Sequence, residues 1–320
     1  MDKSKLGKTG IEVSKISFGT VALGLPYGIG VKDQTDMLSE ADATALLRSA
    51  LDKGLNFYDT ALGYGKSEEL IGTAFKDCRG KVVICTKPVH LYDSHSGHTM
   101  PHSSQIRPKL EESFKQSLAK LKTDYIDIYM SHDGTEEVIE NDIVIDFYQH
   151  LKKNGAIRAT GISVYTLPQA IKAIETGKWD VVQLAFNLLD QSQLPAIELA
   201  AKKGVGIVIR SVLFKGILTE RGDNLHPTLK AVQDHRQKYL AFLNDDVKSL
   251  SDLAIRFVLS VNGVSSILVG IDKQIYLDSA LATFSQGILD DKIVEKLKTL
   301  TYPEPEFLNL PKWDRMGWLK

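Results

Sequence analysis

The chain has 320 residues, 43% hydrophobic, 25% charged and 8% aromatic, an average globular usage that excludes a disordered or fibrous protein. Thirty-nine Lys and Arg stand against 40 Asp and Glu, a net charge of −1, so neither a nucleic-acid binder nor a membrane-surface binder is favoured. No apolar run approaches the roughly 18 residues that cross a bilayer. Residues 1–8 are polar rather than a secretory leader, and Cys78 and Cys85 are expected to stay unlinked in a cytoplasmic protein.

Apolar β-branched runs alternate with helix-period stretches along the chain. A strand predicted at 15–20 is followed by a polar loop, 24–39, and a helix over 40–53. In that helix Ala43, Leu46, Leu47, Ala50 and Leu51 fall on one face. Strand 56–61 leads to helix 67–75. Strand 82–87 leads through the polar loop 90–105 to helix 107–121. Strands 125–132, 157–163 and 181–185 precede helices 141–154, 167–176 and 195–203. Gly54, Gly155, Gly177 and Gly204 stand just past four of these helices, where a left-handed residue ends the last turn. Strand 206–211 is separated from strand 266–270 by a long segment with helical patterns at 227–243 and 249–261. The tail, 302–320, has no clean period.

Eight apolar strands, nearly all followed by a helix, imply parallel βαβ units. An open doubly wound sheet would also fit. The strand count and even spacing favour a (β/α)8 barrel, an α/β fold that routinely exceeds 250 residues as one unit. The expected organisation is one unit over 1–320.

Barrel chemistry sits where strands end at the C-terminal face. The second strand carries Asp59 and runs on to Tyr64, the third ends on Lys87 and the fourth on His132. A phenol near its free pKa of about 10 moves few protons at neutral pH. A neighbouring ammonium favours phenolate and lowers that value, and a carboxylate can hold the ammonium in place. Lys87 and Asp59 suit those parts, with Tyr64 moving the proton and His132 directed at a substrate oxygen.

Asp59 followed by Tyr64, Thr86-Lys87 at the end of the third strand and Tyr129-Met130-Ser131-His132 at the end of the fourth resemble the catalytic tetrad of the aldo-keto reductases. Residues 6–14 resemble the family's N-terminal hairpin, which plugs the barrel bottom. The resemblance, running from about residue 4 to residue 300, implies a hairpin at 1–14, a barrel at 15–301, C-terminal helices and a tail at 302–320. It also implies a nicotinamide-dependent interconversion of an aldehyde or ketone and its alcohol, with NADP(H) or NAD(H) and no metal.

Carried over residue by residue, the resemblance implies that Ser163 and Gln183 hydrogen-bond the nicotinamide carboxamide, with Thr20 beside the ribose. Arg210 would stack on the nicotinamide. Ser211, Val212, Leu213, Lys215 and Gly216 would line the pyrophosphate through main-chain N–H groups and one cation. Gly270 would open the adenosine loop, with Asp272 and Tyr276 in it. Val164 stands where the family commonly has Asn. Asp272 can accept from a ribose 2′-hydroxyl and repels a 2′-phosphate, so it tilts the choice toward NAD, whereas Lys273 pulls the other way.

Two other function classes use the same residues: a dinucleotide-binding regulatory subunit, and an aldolase with Lys87 as Schiff-base amine. His90, His95, His98 and His102 match no standard zinc spacing and read as a polar loop. Residues 63–67 lack the first glycine of a phosphate loop. Loops 23–36, 91–105 and 214–237 and the tail would shape the substrate site. Their polar groups, among them His95, His98, Asn224 and His226, favour a hydroxylated, sugar-like carbonyl compound. Trp313 and Trp318 would either cover that pocket or dock the tail.

Overall fold

The computed structural model of the chain describes residues 2–31, 33–92 and 99–319. Its strands are β1 (Lys3–Lys5), β2 (Glu12–Ser14), β3 (Ile16–Gly19), β4 (Phe57–Asp59), β5 (Val83–Thr86), β6 (Ile126–Ser131), β7 (Ile157–Ser163), β8 (Val181–Ala185), β9 (Gly206–Arg210) and β10 (Ser266–Gly270). From β3 to β10 each strand pairs in parallel with its sequence neighbour, and β10 returns to β3. The result is a closed (β/α)8 barrel. Strand β6 is buried at every position because it lies between an inner core and an outer ring of helices and meets water on neither face.

The outer ring contains the helices Glu40–Asp52, Ser67–Phe75, Ser103–Leu121, Asp142–Lys153, Leu167–Glu175, Leu194–Lys203, Leu250–Leu259 and Gln274–Ser285. Local chemistry sets their ends. Ser39 accepts the Asp42 N–H, and Thr166 with Gln169 forms a reciprocal capping box. The helix predicted from 107 starts instead at Ser103. There a His102 ring nitrogen accepts the Ser104 N–H and fixes an earlier start, leaving Pro108 inside the helix.

The helix predicted over 227–243 is broken into 3-10 turns at Pro227–Leu229 and Lys238–Phe242 around a short helix, Lys230–Gln237. Helices Gln274–Ser285 and Asp291–Lys298 lie in a region where the sequence reading resolved none. The tail forms a 3-10 turn, Pro305–Phe307, and a helix, Leu310–Arg315.

β1 and β2 form an antiparallel hairpin whose Leu6, Ile11 and Val13 join inward-facing Phe57, Val83, Ile128, Val181 and Val208 in one buried cluster. This hairpin fills the end of the barrel opposite the strand C-termini. Gly7, at φ +55°, lies where a Cβ would come within 2.4 Å of the Gly206 nitrogen, so the plug fits only with glycine there. With that end filled, the strand C-termini line the open mouth.

Candidate active site

Asp59 ends β4, and Lys87 follows β5 with its side chain 1% exposed. The Lys87 ammonium donates to Asp59 Oδ1 and Oδ2, both at 2.8 Å, and to the Thr60 carbonyl at 3.0 Å. Burial pulls this amine down, but the Asp59 carboxylate and the Tyr64 phenol push it up harder, and it lies above its ordinary value. Asp59 Oδ2 also accepts 2.8 Å from Gln183 Nε2. The ammonium is therefore a fixed charge behind the cavity wall.

Tyr64 sits on the turn between β4 and the next helix, with Lys87 Nζ 5.7 Å from its ring centroid. Loss of water around the phenol pushes its pKa up, while Lys87 pulls it down without prevailing. The expected lowering is thus present as a pull and not as the net result. The turn is packed tightly: a Cβ on Gly24 would meet the Tyr64 carbonyl oxygen at 1.8 Å. His132 follows β6, its ring centroid 5.9 Å from that of Tyr64 and nearly perpendicular to it. Burial, then His90 and Lys87, hold His132 well below its ordinary value, so its imidazole is neutral at physiological pH.

Asp59, Tyr64 and His132 open on a cavity of about 1370 Å³ that also reaches Thr20, Ser163, Gln183, Arg210, Ser211, Val212, Leu213, Lys215, Gly216, Gly270, Asp272 and Tyr276. Several stand differently from expectation. Thr20 spends its hydroxyl proton on the Asp59 carbonyl at 2.7 Å. Lys215 is held in an ion pair by Asp314 of the tail and lies 5.0 Å from the Tyr27 ring centroid, so it is not a free cation over the loop. The Gly216 N–H donates to the Leu213 carbonyl at 2.9 Å rather than into the cavity. Arg210 donates to the Val164 carbonyl at 2.9 Å and lies over the Tyr165 ring at 4.6 Å. The loop after β9 is strained, with positive φ at Ser211, Phe214 and Lys215, none of them glycine.

The sequence reading missed Tyr165, Arg221 and the tail residues Asp314 and Arg315. Arg221 donates to the Tyr276 hydroxyl at 3.2 Å and to the Ile29 carbonyl at 3.4 Å, bringing a guanidinium to the expected adenosine end. Its position in an irregular stretch gave no periodic signal. Pro305, Leu308, Leu310 and Arg315 line the same cavity. Trp313, fully buried, packs on Phe214 and Phe307 and docks the tail, while Trp318 stacks on His226.

Of the clustered histidines, His95 and His98 lie outside the described residues. His102 is a helix cap, and His90 stacks on His132 at 4.0 Å with its Nδ1 2.6 Å from Asp133. Among the described residues no group of three or more His, Cys, Asp or Glu is placed to hold a metal, and no helix is long and apolar enough to cross a membrane.

Comparison with known proteins agrees with this barrel architecture. The chain is 27% identical over 322 residues to the uncharacterized oxidoreductase YqkF of Bacillus subtilis, covering 94% of this chain and 97% of that one. It is 28% identical to L-galactose dehydrogenase of Arabidopsis thaliana, covering 93% and 96%. The holo form of an aldo-keto reductase from Bacillus halodurans shares the fold with a TM-score of 0.78 at 23% identity, over 95% of this chain and 99% of that one. The family model described as the aldo/keto reductase family matches residues 15–301, from the first barrel strand to the helix before the tail, and the chain belongs to that family.

Proposed function

We propose that the protein interconverts a carbonyl compound and its alcohol with a nicotinamide dinucleotide, and that the substrate is a small hydroxylated, sugar-like aldehyde, ketone or lactol. The observation that carries the reading is the Lys87–Asp59 pair set behind Tyr64 and His132 at the mouth of one long cavity. Residues 1–320 act as one unit, with hairpin, barrel and tail at 1–14, 15–301 and 302–320. The Arabidopsis relative, an L-galactose dehydrogenase, supports the sugar-like class.

The residues fit the dinucleotide. The cavity of about 1370 Å³ exceeds the 300–1,000 Å³ of ordinary ligand sites, leaving room for a dinucleotide and a small substrate. Gln183 and Ser163 would hold the carboxamide, with Gln183 Oε1 as acceptor because its Nε2 is bound to Asp59. Arg210 and Tyr165 would flank the ring. The strained loop 211–216 would follow the phosphates, and Arg221, Asp272 and Tyr276 would meet the adenosine ribose. A bound dinucleotide supplies or accepts the hydride.

The chain's own groups manage the proton. Tyr64 gives its proton to the substrate oxygen in reduction and recovers it in oxidation. Lys87, kept charged by Asp59, favours the phenolate that forms. The neutral His132 imidazole orients the same oxygen. Lys87 is a poor Schiff-base amine, because it is buried, charged and bound to three acceptors.

Fluorescence titration with both dinucleotides, then a carbonyl panel with the tighter one, tests the reading. Tyr64→Phe should lose roughly 10²–10⁴-fold in turnover with dinucleotide affinity within a few-fold. A loss under about tenfold removes Tyr64 from the role, and no turnover on any carbonyl favours a regulatory subunit instead.

A further inference from the structure

The helix Ser67–Phe75 begins three residues after Tyr64 and is not capped by a side chain at Lys66. Its first residue, Ser67, is fully buried, and its hydroxyl points away from its own helix into the barrel wall. Ser67 Oγ accepts from Thr60 Oγ1 at 2.8 Å and donates to Thr20 Oγ1 at 2.6 Å. Thr20 in turn donates to the Asp59 carbonyl at 2.7 Å. Three buried hydroxyls thus run in one direction, each with its single proton committed.

Both ends of this relay touch the Lys87 site. Thr60, at its start, offers the carbonyl that receives Lys87 Nζ at 3.0 Å, and Asp59, at its end, holds the same ammonium. Ser67 also reaches the other party, because its N–H donates to the Tyr64 carbonyl at 3.0 Å. Glu68, the next residue and 1% exposed, accepts from Thr86 Oγ1 at 2.6 Å, immediately before Lys87, and pins the helix start to β5.

We infer that Ser67 is a positioning residue, the joint that fixes the Tyr64 turn at a set distance from the Asp59–Lys87 pair. The inference rests on the proton-transfer reading of Tyr64. The pull of an ammonium on a phenol falls with distance, so slack in this joint changes both the rate and the pH at which the phenol works. A serine that only filled space would leave the pH dependence alone.

The experiment measures kcat, KM, dinucleotide affinity and the pH profile of kcat for the full chain and its Ser67→Ala, Ser67→Thr and Thr60→Val variants. Ser67→Ala should lower kcat tenfold or more, leave KM and dinucleotide affinity within about threefold, and move the alkaline limb of the profile upward. Ser67→Thr, which keeps the hydroxyl, should restore both. Thr60→Val breaks the relay at its other end and should move the limb in the same direction, even if Ser67→Ala fails to fold. An unmoved limb in Thr60→Val, wild-type kinetics in Ser67→Ala, or a kcat loss without a pH shift would each overturn the inference. Tyr64→Phe, measured alongside, separates the two readings: if it keeps turnover, the proton-donor assignment falls whatever the serine variants do.

Discussion

Both carboxylate oxygens of Asp59 lie 2.8 Å from the Lys87 ammonium, in a part of the barrel where the two side chains are 5% and 1% exposed. Removing one partner of so buried a pair leaves the other charge uncompensated. Asp59→Asn should therefore lower the unfolding free energy by about 3–5 kcal/mol, and adding Lys87→Met should recover part of that loss. Urea unfolding of the two variants checks this, and a single-variant cost below about 1 kcal/mol would mean that water reaches the pair.

The same pair gives stability a defined slope in alkali. Lys87 is raised in the folded chain, so its contribution is fully present below the unfolded lysine value of about 10.4 and is lost as pH climbs through the folded value. Melting temperature should fall over that alkaline range, and Lys87→Met should flatten the fall. A slope that survives the substitution would assign it to other groups.

His132 acts on the acid side. Its folded value is depressed, so the unfolded chain takes up the proton first and stability should decline as pH drops below about 6.5. His132→Gln should weaken that decline. The kcat profile should carry no His132 break near neutrality, and one that vanishes in His132→Gln would show that the ring titrates there.

Under the proposed function, cofactor choice would turn on two residues of opposite sign. Asp272 would disfavour a 2′-phosphate, while the Arg221 guanidinium, beside Tyr276, would favour it. Asp272→Arg should shift preference toward NADP(H) by about 1–3 kcal/mol, and Arg221→Ala should shift it toward NAD(H) by a similar amount. Paired dissociation constants for both dinucleotides measure each shift. Equal effects of Arg221→Ala on both forms would place Arg221 away from the 2′ position.

The tail has its own lever. Asp314 holds Lys215, whose side chain is 8% exposed, at the strained loop after β9. Asp314→Asn should tighten dinucleotide binding up to about tenfold by freeing the cation, while stability changes by less than about 1 kcal/mol. Weaker binding in this variant would instead make Asp314 the group that orients Lys215.

How much of this the sequence carries depends on range. β7, β8 and β10 match their predicted bounds residue for residue, and β8 and β10 are short runs dominated by apolar side chains. The four residues proposed for the proton chemistry are legible because barrel strands present chemistry at their ends, which fixes where to look. The helix Gln274–Ser285 is hard to discern in the sequence because its buried stripe, Leu277, Ala280 and Thr283, is narrow and partly polar. Arg221 with Tyr276 and Lys215 with Asp314 join residues far apart in the chain, and no period announces a partner at that distance. The Tyr64 phenol illustrates a further limit: the sequence identifies the ammonium beside it, but only the packing determines that lost hydration outweighs the charge.

The pairing of β10 with β3 also dictates an order of assembly. Ile267 lies beside Ile16, and the Ser17 hydroxyl donates to the Ile267 carbonyl at 2.8 Å, across almost the whole length of the polypeptide. During synthesis the first barrel strand must wait with one edge unsatisfied until the last has left the ribosome. Such distant contacts form late and slowly. A fragment ending before Ser266 keeps two open edges, β3 and β9, each a template for pairing with another chain, and should aggregate rather than fold to a smaller barrel.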